Sequence, residues 1–148
     1  MKSILPVFLI VLISFGSCSA EKKGSDSQTL QGSEVQQDEG KSQIAKNISP
    51  DEFEKGLSAP GAILLDVRTP EEYQEGHIAN SKSINFYDKD FADQVKNLDK
   101  NTPVYVYCRS GGRSASAMAM LSEQGIREVY NLEGGIIAWG RAKKEIVR

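Results

Sequence analysis

The sequence predicts an α/β domain in which a parallel sheet is covered by helices on both faces. Three observations predict it. The apolar runs at 62–67 (AILLDV), 104–107 (VYVY) and 129–132 (VYNL) are short and rich in strand formers. Segments with helix-start signals or helical apolar spacing alternate with them, which calls for parallel strands joined by crossover helices. The stretch YVYCRSGGRSASAMAM (105–120) compresses the pattern into a strand, a cysteine, a glycine-bearing turn and a run of helix formers.

Taken in order, residues 1–18 read as a processing segment. Lys2 gives a positive start, and the apolar run from Ile4 to Phe15 is shorter than the about 20 residues a membrane span needs. Gly16 and Ser17 precede Cys18, a pattern that resembles a bacterial lipoprotein signal with Cys18 as the lipidated residue. An ordinary secretory signal cut near Ser17 or Ala20 is the alternative. Either reading places the mature protein outside the cytoplasm, periplasmic or anchored to a membrane through the lipid. Residues 19–47, polar and without an aromatic, are expected to form a flexible tether.

The domain is then expected over 48–148. Ser49-Pro50-Asp51-Glu52 is a capping box with proline at the first helical position, which starts a helix running to about Leu57. Pro60-Gly61 turns the chain into the strand at 62–67. Thr69-Pro70-Glu71-Glu72 repeats the capping signature, and Gly76 should end that helix. A short strand is expected at 83–86. A helix at 89–97 follows, with Phe91, Val95 and Leu98 on one stripe. Asn101-Thr102-Pro103 leads into the strand before Cys108. A helix at 113–124 ends at Gly125, the strand 129–132 follows, and Gly134-Gly135 opens a helix carrying Ile136, Ile137 and Trp139.

Counts exclude several functions. The chain has 148 residues, a net charge of −2, two cysteines and one histidine. No basic footprint points to nucleic acid, no disulfide framework is possible, and no Cys/His cluster has zinc spacing. No cofactor or metal is expected, and the domain is expected to be a monomer. What remains is Cys108, at the carboxyl end of a strand and just before a helix, where backbone N–H groups and the positive helix end converge. That setting favours a thiolate nucleophile.

Four features in sequence order resemble the single-domain form of the rhodanese (thiosulfate sulfurtransferase-like) family. They are Asp66-Val67-Arg68 followed by Glu71-Glu72-Tyr73; Gly76-His77-Ile78 leading to Ile84-Asn85; the loop Cys108-Arg109-Ser110-Gly111-Gly112-Arg113-Ser114; and Leu132-Glu133-Gly134-Gly135 with Trp139. The resemblance implies a five-stranded parallel sheet flanked by helices on both faces, and a cysteine that forms a persulfide. Four residues separate Cys108 from Arg113. Cysteine phosphatases and arsenate reductases place one more residue there, so the tighter ring suits a single added sulfur better than a tetrahedral oxyanion.

The expected function is therefore a sulfurtransferase. Its Cys108 takes a sulfane sulfur from thiosulfate or a similar small donor and passes it to a thiol or cyanide. A non-catalytic sulfur- or redox-sensing or binding module is the alternative, and a phosphatase or arsenate reductase is disfavoured by loop length. His77 is far from Cys108 in sequence, so activation must come from the helix end, loop N–H groups and the charges of Arg109 and Arg113. A depressed thiol pKa follows. Arg109 is expected at the pocket mouth or simply solvated. Arg113 is expected either to clamp the anionic substrate or to brace the loop through Asp66 or Glu133. Ser110 and Ser114 are read as loop hydrogen bonders, Gly111 and Gly112 as permitting positive φ, and Asp66 with Arg68 as a supporting polar pair. His77 is read as a structural hydrogen bonder and Trp139 as core.

Overall fold

The computed structural model describes residues 42–148. The signal segment, Cys18 and most of the tether lie outside the described residues. Ten elements follow in order: β1 (Ile44–Ile48), α1 (Pro50–Leu57), β2 (Ile63–Asp66), α2 (Pro70–Glu75), β3 (Lys82–Ser83), α3 (Phe91–Val95), β4 (Val104–Tyr107), α4 (Gly112–Glu123), β5 (Glu128–Leu132) and α5 (Gly135–Arg141). The five strands form one sheet in the order β1-β5-β4-β2-β3, and every pairing is parallel. β4 is therefore central, and the loop that follows it emerges at the carboxyl edge, where such sheets place their sites.

Each strand of a buried parallel sheet feeds two cores. Val104, Val106 and Cys108 face α3 and α4, packing with Phe91, Val95, Ala117 and Leu121. Tyr105 and Tyr107 face α1 and α5, packing with Phe53, Ile136 and Trp139. Trp139 is core, as expected: it is 4% exposed and its Nε1 donates to the Glu145 carbonyl at 2.8 Å. Both capping boxes form, Ser49 with Glu52 and Thr69 with Glu72. Gly125, at φ +88°, follows the last turn of α4, a backbone that glycine adopts without cost.

Three expectations are corrected. The tether does not extend to residue 47, because β1 begins at Ile44 and pairs residue by residue with β5 up to Ile48↔Leu132. Only its two ends are even half-buried, so it carries no apolar pattern and is held by backbone bonds such as Ile44 N–H to the Arg127 carbonyl at 2.7 Å. The strand expected at 83–86 forms a ladder over Lys82–Ser83, and beyond it only Ile84 N–H and Phe86 N–H reach back, to the Asp66 and Val67 carbonyls at 2.9 and 3.2 Å. Asn85 Oδ1 accepts from Tyr87 N–H and its amide donates to Asp88, which turns the chain away. The helix expected at 89–97 covers Phe91–Val95, with turns on either side in which Phe91 N–H donates to the Asp88 carbonyl at 3.0 Å and Leu98 N–H to that of Val95 at 3.2 Å.

Deleting residues 44–48 should lower stability by at least about 2 kcal/mol, since a row of backbone bonds to β5 is lost. Urea unfolding of the deleted and full chains measures it. An unchanged midpoint would show that β1 is not part of the cooperative unit.

Candidate active site

The loop at 108–114 is the link between β4 and α4, and its shape follows from two glycines. Gly111 stands at the N-cap of α4 with φ +98°, where a side chain would also press on the Gly134 N–H and the Leu132 carbonyl. Gly135 opens α5 against the loop itself, and a methyl group there would run into the Cys108 and Arg109 backbone. With that clearance, Ile136 N–H donates to the Cys108 carbonyl at 2.9 Å and Ile137 N–H to that of Arg109 at 3.3 Å. The start of the loop is thus tied to α5 and its end is the first turn of α4.

Cys108 is 1% exposed. Its Sγ accepts from Gly111 N–H at 3.2 Å and from the Ser114 hydroxyl at 3.4 Å. Burial pushes the thiol pKa up, but the Ser114 hydroxyl and the N–H groups of Ser114, Ser110 and Gly111 outweigh it, so the net direction is down. These hydrogen bonds, rather than arginine charge, lead the lowering. Ser114 Oγ also lies 3.1 Å from the Gly111 carbonyl, and its single proton serves one acceptor at a time. That carbonyl already accepts from Ala115 N–H at 3.0 Å and from Asn131 Nδ2 at 3.2 Å. The hydroxyl can therefore turn to a charged sulfur without leaving an acceptor empty. Asn131 was not singled out from sequence. The signal was an amide set between Tyr130 and Leu132 in the run VYNL.

Arg113 does not meet Asp66 or Glu133. It forms a bidentate pair with Glu72, Nη1 to Oε2 at 2.6 Å and Nη2 to Oε1 at 2.7 Å. Its guanidinium also lies 5.7 Å from the centre of the exposed Tyr87 ring. Glu72 Oε2 at the same time accepts from Thr69 N–H in the capping box of α2. One carboxylate thus closes the start of α2 and braces the start of α4. The Arg113 hydrogen bonds hold the Glu72 pKa down to about 2, and the same pairing raises that of Arg113. Of the two roles weighed for Arg113, the geometry shows the strut.

Asp66 and Arg68 form the expected pair, both buried, with Arg68 Nη2 at 2.6 Å from Asp66 Oδ2 and 2.8 Å from the Gly76 carbonyl. The Arg68 guanidinium stands 5.6 Å from the Tyr107 ring centre. Neither residue hydrogen-bonds Cys108, so the pair buttresses the sheet beside the loop. Arg109 is exposed, makes no ion pair among the described residues, and lines a cleft of about 370 Å³ with Arg68, Glu72, Glu75, Ile136 and Ile137. Ser110 is exposed and Gly112 has open space around it, so the positive φ expected there is found only at Gly111. His77 stacks on Tyr73 with ring centres 3.8 Å apart and exchanges backbone bonds with Val147, a structural role. Among the described residues no cluster of His, Cys, Asp or Glu could hold a metal ion.

A five-stranded parallel α/β sheet with a cysteine loop at the end of its central strand is the architecture of a rhodanese-like domain. Residues 49–142 match the Rhodanese-like domain family, and the chain belongs to it. It is 37% identical over 94 residues to the thiosulfate sulfurtransferase GlpE of Pseudomonas entomophila, covering 64% of this chain and 84% of that one. It is 38% identical over 104 residues to a tRNA uridine(34) hydroxylase of Chlamydia abortus, of which it spans only 32% of the length. A rhodanese-related protein of Thermoplasma volcanium superposes with a TM-score of 0.61 at 32% identity, covering 69% of this chain and 97% of that one.

Two outcomes test this electrostatic arrangement. Ser114→Ala should move the midpoint of pH-dependent iodoacetamide alkylation of Cys108 upward, and Asn131→Ala should move it in the same direction by less. Unchanged midpoints would remove the hydroxyl from the account. For Glu72 the folded pKa lies below the ordinary 4.5, so its contribution is complete above that value and is lost as pH falls towards about 2. The stability gap between wild type and Glu72→Gln should therefore shrink over that window in urea titrations. A gap independent of pH would overturn the pairing.

Proposed function

We propose that the protein is a sulfurtransferase whose reacting atom is Cys108 Sγ. The observation that carries this reading is the convergence of loop N–H groups and a hydroxyl on a buried sulfur, with no general base beside it among the described residues. The Cys108 thiolate attacks the outer sulfur of thiosulfate or a related sulfane donor. A new S–S bond forms, the donor S–S bond breaks, and its electron pair leaves with sulfite. The Cys108 persulfide then carries its negative charge on the outer sulfur, within reach of the loop N–H groups. A thiolate or cyanide attacks that sulfur, forming a persulfide or thiocyanate and returning Cys108 as thiolate. Donor and acceptor thus react in alternate half-cycles.

Arg109 supplies positive charge at the cleft beside the loop, where an anionic donor would approach, while Arg113 is committed to Glu72. The likeness to GlpE, over most of that protein's length, supports the chemistry. The likeness to the tRNA hydroxylases covers the shared domain alone and supports no action on tRNA. From the pattern of residues 1–18 we also propose that the domain acts outside the cytoplasm, held at a membrane by a lipid on Cys18 or released after signal cleavage, and works as a monomer with small-molecule donors and thiol acceptors as its partners.

Incubating the protein with thiosulfate should add a mass of about 32 Da to the intact chain, and Cys108→Ser should show no such adduct. No adduct with any sulfane donor would sink the reading. In the thiosulfate–cyanide assay, Arg109→Ala should raise KM for thiosulfate by about tenfold with little change in kcat, the pattern of lost donor binding. A loss confined to kcat would place Arg109 in the chemical step instead.

A further inference from the structure

The face of the sheet covered by α1 carries a second cavity, of about 430 Å³, which the sulfur chemistry does not use. Its floor is a row of side chains in register across three strands: Lys46 on β1, Tyr130 on β5 and Tyr105 on β4. The Tyr105 and Tyr130 rings stack with centres 5.0 Å apart, and Phe53 meets Tyr105 edge-on at 5.3 Å. Ile48, Lys55 and Gly56 complete the walls, and Glu52 stands at the rim. Position 56 must be glycine, because a methyl group there would run into the Tyr105 ring and hydroxyl.

Three features give this cavity ligand chemistry. Tyr105 is only 6% exposed, and its hydroxyl, which meets no protein partner among the described residues, keeps its access to solvent at the cleft. The other tyrosines near the sheet do better: Tyr107 accepts from Ile78 N–H, and Tyr130 donates to Glu128. A hydroxyl held by its ring on a cleft wall and bonded only to water offers a fixed donor to a ligand that displaces that water. Lys46 and Lys55 stand at the mouth, exposed and without ion pairs among the described residues. The one carboxylate of the lining, Glu52, is occupied by the Ser49 N–H and hydroxyl. The walls between are aromatic and aliphatic. The size falls in the range of ordinary small-ligand pockets.

We propose that this cleft is a second binding site, for a planar aromatic anion that carries an additional oxygen acceptor. The ring lies against Tyr130 and Ile48, the anionic group is met by Lys46 and Lys55, and the oxygen accepts from the Tyr105 hydroxyl. Tyr105 precedes Cys108 by three residues on the same strand, about 10 Å, with the two side chains on opposite faces. Occupancy is therefore independent of the persulfide step.

The test uses the full chain and two probes, 6-hydroxy-2-naphthoate and 2-naphthoate, followed by amide chemical shifts in NMR titrations. Saturable shifts at Lys46, Gly56 and Tyr130 are expected for both, with the hydroxylated probe binding more tightly. Tyr105→Phe should erase that preference, about fivefold, while leaving 2-naphthoate unaffected. The double change Lys46→Gln, Lys55→Gln should weaken both probes by about tenfold. Persulfide formation at Cys108 should be unchanged in all three proteins, which reports that they are folded. Shifts centred on 108–114, an undiminished preference in Tyr105→Phe, or no saturation by about 10 mM would each overturn the proposal.

Discussion

A sulfur atom removed from water can hold charge only where other donors take water's place, and much of the architecture around Cys108 answers that requirement. The donors here are backbone N–H groups and one hydroxyl, not a neighbouring base or a free cation. Backbone donors cannot be aimed singly; the whole loop must turn inward. That turn needs the left-handed backbone at Gly111 and bracing at both ends, from Glu72 through Arg113 and from α5 through its first N–H groups. Because the N–H donors are fixed before any charge appears, only the Ser114 hydroxyl has to turn when it does, and little reorganisation is needed.

The Glu72–Arg113 pair shows how one side chain can serve two levels of organisation. Within α2 the carboxylate satisfies an otherwise orphaned N–H, a local matter settled by residues three apart. Across the molecule it fixes an arginine 41 positions further along the chain. An arginine so neutralised offers little to an anionic ligand, and Arg68 in the same cleft is paired with Asp66, which among the described residues leaves Arg109 as the cation there without an ion pair.

Local signals were the most legible. The two capping boxes, the run AILLDV, the spacing of Phe91 and Val95, and the strand-loop-helix around Cys108 all depend on neighbours in sequence, and all appear in the structure, whereas Leu98 packs on the core from beyond the end of α3. The count of five strands came from the family resemblance, because β1 lacks any apolar alternation: three of its five residues are exposed. An edge strand held by main-chain bonds leaves almost no trace in side-chain pattern. The partner of Arg113 was illegible for another reason. Asp66, Glu72 and Glu133 are all carboxylates flanking the loop elements, and only their placement in space separates them. Asn131 escaped because its role is to occupy the Gly111 carbonyl, a need that arises only once the loop has folded.

The contact between α5 and the loop has a consequence for the order in which the chain becomes competent. The first N–H groups of α5 hold the Cys108 and Arg109 carbonyls, and Gly135 presses against that same backbone. β5, which supplies Asn131, must also slot between β1 and β4 before the loop is supported from below. A chain still leaving the ribosome with residues 128–141 inside the exit tunnel therefore carries Cys108 as an ordinary thiol. Reactivity therefore waits for β5 and α5, so a polypeptide cut before them has no primed sulfur to expose.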